Sequence, residues 1–190
     1  MPGTGLRASR RALMGLAAAS AMPRDAAADD PLAVLTGLVG ARLALMRAVA
    51  ESKWNSAAPV EDQAREERLV AGVVALAPSY GLDPGQAAAF FRAQIEAAKC
   101  LESALIARWA AGRVGPFAAP ADLQTVIRPQ LDRLTPALLA AFAAAVPEVK
   151  RGAAQRIAAA SRLDDPMMAV AMARALEPLL ELAGAGAVAP

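Results

Sequence analysis

No histidine occurs anywhere in the 190 residues. That absence removes Ser-His-Asp and Cys-His nucleophilic catalysis, the usual zinc sites and the commonest general base. Chemistry is left to carboxylates, Lys, Arg or electrostatics alone, and no metal or cofactor is expected. The single cysteine, Cys100, cannot close an intramolecular disulfide, and its setting between Lys99 and Leu101 suggests a buried, inert thiol. Aromatics make up only 4% of the chain against 56% for hydrophobic residues together, so the core has to be built from Ala, Leu and Val. Such a composition suits close-packed helices. No alternating strand pattern of useful length, internal repeat or second domain is visible, and the expected fold is an all-α, single-domain bundle of about six helices. Charge imbalance is lacking too: a net +2, with its basic residues scattered, does not describe a nucleic-acid surface.

Residues 1–28 read as a targeting segment. Arg7, Arg10 and Arg11 give a basic start and Ala12 to Ala21 a short apolar run, with Ala19-Ser20-Ala21 or Ala26-Ala27-Ala28 as a small-residue cleavage site. The run falls well short of the ~20 residues that span a bilayer. Ser9-Arg10-Arg11-Ala12-Leu13 resembles a twin-arginine export signal, and a general secretory signal fits as well. The mature domain, 29–190, is therefore expected to work outside the cytoplasm.

Within it, Asp30-Pro31 should start a first helix that runs to about Asn55. A second is expected from near Val60 to about Ala77, with Glu61 and Asp62 in its first turn. Asp83-Pro84 opens a third, uninterrupted to about Ala111. A fourth begins at Asp122, with a kink or short break expected around Pro129 and Pro136. Two more follow, about Glu148 to Ser161 and Pro166 to Leu182, the latter capped by Asp165, and Gly184, Gly186 and Pro190 suggest a frayed tail.

The first helix carries two cations where it should be apolar. Leu32, Leu35, Val39, Arg42, Met46, Val49 and Lys53 alternate steps of three and four, the spacing of one buried stripe. Arg42 and Lys53 lie 53 − 42 = 11 residues apart, about three turns, so both heads can enter one cavity. An interior cation is costly unless it meets an anion. Snorkelling from the rim of an ordinary amphipathic helix is the other reading. The third helix repeats the anomaly: Ile95, Ala98, Glu102, Leu105 and Trp109 put Glu102 on the core-facing stripe, where desolvation should raise its pKa, or where it simply pairs with Arg42 or Lys53. Asp62, Arg65 and Glu66 share a face with Leu69 and Val73, which alone would be an ordinary solvated face, and Arg128 before Pro129 is ambiguous alone. Together they describe a pocket for a small dianion or tricarboxylate-like ligand held by arginines, or a site that stabilises charge separation in a rearrangement.

The order Arg42, Lys53-Trp54, the segment Pro59 to Glu66 (PVEDQARE), the stretch Gln94-Ile95 to Glu102, and Arg128 resembles the all-helical, type II chorismate mutases in their exported subclass. The resemblance covers about residues 32–145, with 146–183 as a helical C-terminal extension typical of that branch. It implies the pericyclic rearrangement of chorismate to prephenate without a cofactor. By the same resemblance, Arg42, Arg65 and Arg128 hold the substrate's two carboxylates, Lys53 bridges a carboxylate and the ether oxygen, Glu102 meets the other side of that oxygen, and Asp62 and Glu66 contact the ring hydroxyl. Ala98 stands where the family often has a hydroxyl-bearing residue, so one carboxylate contact is missing. A homodimer with a complete pocket in each chain is implied, with no nucleic-acid partner and no membrane partner once the signal is removed. The competing readings are an isochorismate pyruvate lyase on the same fold and a non-catalytic extracytoplasmic binding protein.

Overall fold

The structure, a computed structural model, describes residues 30–186. The targeting segment expected at residues 1–28 lies outside the described residues, as does the end of the tail. Every described element is helical: α1 (Pro31–Ala44), α2 (Met46–Ser56), α3 (Gln63–Leu76), a short 3-10 turn (Ala77–Tyr80), α4 (Pro84–Ala111), a π-turn (Leu123–Ile127), α5 (Arg128–Lys150), α6 (Ala154–Ala160) and α7 (Pro166–Gly186). Because α1 and α2 form one rod with a bend at Leu45, the described residues form a bundle of six rods.

The bend follows from packing. The Leu45 N–H reaches only to the Arg42 carbonyl, at 3.2 Å, a tightened turn that lets α1 lie mainly on α5 while α2 lies on α4. Leu32, Leu35, Val39, Arg42, Leu43, Met46, Val49 and Ala50 are all buried, so one stripe continues through the bend. The rod is apolar enough by length and composition to cross a membrane, with a mean hydropathy of 1.7 over its most apolar window. Here its apolar side chains join a core shared with α4, α5 and α7.

Aspartate caps start three of the helices. Asp30 accepts from the Leu32 and Ala33 amides, Asp83 from the Gln86 amide, and Asp165 from the Met167 and Met168 amides, each just before a proline that needs no N–H partner. Between these caps α4 is the central rod, ~42 Å long at about 1.5 Å per residue. Phe90 stacks on Phe142 of α5 with centroids 4.6 Å apart, and Ala87, Ala97, Ala171 and Ala175 are fully buried, letting α4 and α7 approach closely. Gln94, also fully buried, donates from Nε2 to the Ala175 carbonyl at 2.9 Å. That bond ties α4 to the backbone of α7 one residue beyond Arg174, whose carbonyl loses its helical partner to Pro178.

Several boundaries differ from expectation. α3 begins at Gln63, because Asp62 is its cap and not a first-turn residue: its carboxylate accepts from the Arg65 amide at 3.3 Å. α5 runs through Pro147 to Lys150, held by the fully buried Val149, and the turn comes at Gly152, whose φ of 106° suits glycine, so α6 starts only at Ala154. α7 extends through Gly184 to Gly186. Cys100 is half-buried rather than buried.

Candidate active site

The first five helices deliver one charged residue after another to a single cleft. It is lined by Arg42 (α1), Lys53 (α2), the α3 cap Asp62 with Arg65 and Glu66 (α3), Glu102 (α4) and Arg128 (α5), over an apolar floor that includes Val49, Ile95, Ala98 and Leu131. Its empty space is about 610 Å³ with the open mouth included. All seven residues singled out in the sequence lie here.

Arg42 is 6% exposed and its Nε hydrogen has no partner among the described residues. Burial, and then the neighbouring Arg65 charge, lower its pKa to about 10, against weaker opposition from Asp132 and Glu102. It remains a cation at neutral pH, and among the described residues no carboxylate forms an ion pair with it. Glu102 is 4% exposed, and its Oε2 accepts from Lys53 Nζ at 2.7 Å. Burial pushes its carboxyl above the ordinary range despite the Lys53 hydrogen bond and charge that pull it down. Lys53 Nζ also donates to the Val60 carbonyl at 2.7 Å, so two of its three donors are used within the protein and one is left.

The rim is built by the ends of α3 and α5. Asp62 caps α3 with one oxygen and with the other accepts from Arg128 Nη2 at 2.9 Å. Glu66 accepts from the Asp62 amide through Oε1, at 3.3 Å, and from Lys99 through Oε2, at 3.2 Å. Arg128 owes its position to the π-turn before it. The Asp122 carboxylate holds the Gln124 and Thr125 amides, the Ile127 amide reaches back five residues to the Asp122 carbonyl, and Pro129 needs no donor. A wide turn there eases the clash of the Pro129 ring with the turn below it. The expected break at Pro129 is thus a re-registered turn that aims Arg128 at the mouth. Among the described residues no group of three or more His, Cys, Asp or Glu side chains is placed to hold a metal ion.

The family described as chorismate mutase type II matches residues 33–103. The secreted chorismate mutase of Mycolicibacterium smegmatis is 30% identical over 158 residues, which cover 81% of this chain and 83% of that protein. The chain belongs to the chorismate mutase family. It is an enzyme of the isomerase class. The solved chorismate mutase of Burkholderia thailandensis is 37% identical and superposes with a TM-score of 0.74, covering 80% of this chain and 99% of that one. The chorismate mutase of Burkholderia phymatum gives 28% identity and the same TM-score of 0.74, over 80% of this chain and 98% of that one.

Two charged residues near this chorismate mutase cleft escaped the sequence reading. Lys99 lines it and is drawn to Glu96 at 2.7 Å and Glu66 at 3.2 Å, interactions that raise its pKa. Asp132 does not line it, but accepts from Arg65 Nη2 at 2.8 Å. Neither sits on an apolar stripe, so neither breaks a pattern. Beside the site, Trp109 meets Trp54 and Phe117 edge-on, and Asn55 holds both backbone groups of Phe117, which fastens the α4–α5 loop to α2.

Proposed function

We propose that this cleft rearranges chorismate to prephenate by a pericyclic Claisen reaction. The observation that carries the reading is the convergence of Arg42, Lys53, Arg65 and Arg128 with Glu102 on one small cleft, where Arg42 is buried, charged and without an ion-pair partner among the described residues. A dianionic substrate supplies what that arrangement lacks. Arg42, Arg65 and Arg128 hold the two carboxylates, and clamping both ends favours the folded conformer in which the new C–C bond can form. As the ether C–O bond breaks, negative charge grows on the ether oxygen. The remaining Lys53 donor and a protonated Glu102 flank that oxygen and bind it more strongly in the transition state than in the ground state. No proton has to be exchanged with the enzyme.

Asp62 and Glu66 accept the ring hydroxyl with lone pairs their existing partners leave over. Ala98, on the cleft floor, offers no hydroxyl, so the carboxylates depend the more on the arginines. The reading extends to an export segment at 1–28 and a mature domain at 29–190 comprising the mutase core (32–145) and its helical extension (146–183). A relative named as secreted supports export. For the mature domain we propose a homodimer with no membrane partner. Two of the three cations of the Pro31–Ser56 rod, Arg42 and Lys53, line the cleft, which supports reading that rod as a core helix.

The test is to follow chorismate by its ultraviolet absorbance and to identify the product. Prephenate is expected. Release of pyruvate from isochorismate instead makes the protein a lyase, and turnover of neither substrate removes both enzymatic readings.

A further inference from the structure

α3 and α5 face each other across the mouth through two crossed ion pairs: Asp62 of α3 holds Arg128 of α5, and Arg65 of α3 is held by Asp132 of α5. Asp62 and Arg65 are three residues apart on one end of α3, and Arg128 and Asp132 four apart on one end of α5, so each pair shares a helix face. The two pairs differ in one respect. Asp62 is part of the cleft wall, whereas Asp132 stands outside it, 63% exposed, and engages only one nitrogen of an Arg65 side chain that is 31% exposed. The guanidinium has five donors. A single contact from behind leaves most of that fork for a ligand. Arg65 also needs holding, because it lies close enough to the unpaired Arg42 for each charge to repel the other.

We infer that Asp132 is a positioning residue for anion binding: it tethers Arg65 from outside the cleft and keeps its guanidinium beside Arg42, ready for a substrate carboxylate. The inference rests on the dianion reading above. Gln124 is arranged in the same way behind Arg128, accepting from Nη1 at 2.7 Å from outside the cleft. A rim arginine left untethered would have to be ordered by the substrate itself, which weakens binding without touching the reacting bond.

The sign of the effect discriminates between tethering and simple electrostatics. Asp132 is an anion near a site for a dianion, so if it acted only through its field, its removal would tighten binding. The tether predicts the reverse. In Asp132→Ala, KM for chorismate should rise about three- to tenfold with kcat changed less, the loss expected when one long side chain must be immobilised on binding. Asp132→Glu should recover most of it. In an Arg65→Ala background, Asp132→Ala should weaken binding no further, because there is nothing left to tether. The melting temperature reports whether each variant folds, and Asp132→Asn, which keeps the shape, replaces the alanine variant if that one does not. An unchanged or lower KM, or a rise that persists without Arg65, overturns the inference. If the wild-type protein leaves chorismate unchanged, the proposed reaction fails, and calorimetric binding of intact chorismate to the same variants gives the answer for Asp132 separately.

Discussion

Two opposed forces act on the Glu102 carboxyl. Burial favours its neutral form, Lys53 favours the charged one, and burial wins, so its pKa lies above the ordinary carboxylate value. Only the protonated form can donate to an ether oxygen, so kcat/KM should fall as pH rises through that raised value, and fall again near the pKa of about 10 that Arg42 carries in the free enzyme. Glu102→Gln should remain active, lose the first decline and keep the second; a variant dead at every pH, or one with both declines intact, removes Glu102 as the neutral donor. Stability follows the same group. A carboxyl whose pKa is higher folded than unfolded, where it is about 4.3, contributes stability below that unfolded value that is lost as pH rises through the folded one. The melting temperature of Glu102→Gln should accordingly lack this part of the pH dependence. Arg42→Ala and Lys53→Ala should each lose on the order of 3–4 kcal/mol of transition-state stabilisation, by analogy with oxyanion donors, and circular dichroism should show the helices intact. Arg42, Lys53 and Glu102 were legible in the sequence because each interrupts an apolar stripe. Asp132 and Lys99 were not, since a charge on a polar face breaks no pattern and its partner is set by which helix packs opposite.

At the scale of elements, the helix starts marked by an Asp-Pro pair were readable, whereas the starts of α3 and α6 and the end of α5 were not. Asp30, Asp83 and Asp165 each precede a proline and cap a helix, a local event complete within four residues. Where α5 ends depends on Val149 finding the core and outweighing Pro147, which no local rule reports. The π-turn before α5 is an intermediate case: its cause, Pro129, was visible, but its outcome was a change of register in place of a break. Pro129→Ala restores an N–H and allows an ordinary α-turn, which would rotate Arg128 away from Asp62. Its KM should rise about tenfold, the scale of one lost charge-assisted hydrogen bond, with the melting temperature unchanged or raised. A KM equal to wild type would mean that the π-turn does not place Arg128.

For the whole molecule, the all-helical bundle was legible from composition and period, whereas the weight of its last helix was not. α7 contributes no cleft residue, yet Met172, Leu176 and Leu179 are buried, chiefly against α4. At about 1.5–3 kcal/mol for each large apolar side chain, those three alone approach the net stability of an ordinary domain. A chain ending at Leu163 should fail to unfold cooperatively in a thermal scan, even though all seven proposed site residues remain. At the other end, protein beginning at residue 29 should fold and turn over fully, because it keeps Asp30, which caps α1 and pairs with Arg156 of α6. The apolar rod of α1 and α2 has one more consequence for a chain that is exported. During passage through a translocation channel it is a stretch able to slip sideways into lipid, and an arginine near the middle of such a segment opposes that by about 2.5–3.5 kcal/mol. Under the proposed export, Arg42, together with Arg47 in the same window, then also helps to keep the nascent protein moving. Arg42→Leu expressed with its leader should leave part of the product in the membrane fraction, where Arg42→Lys should not.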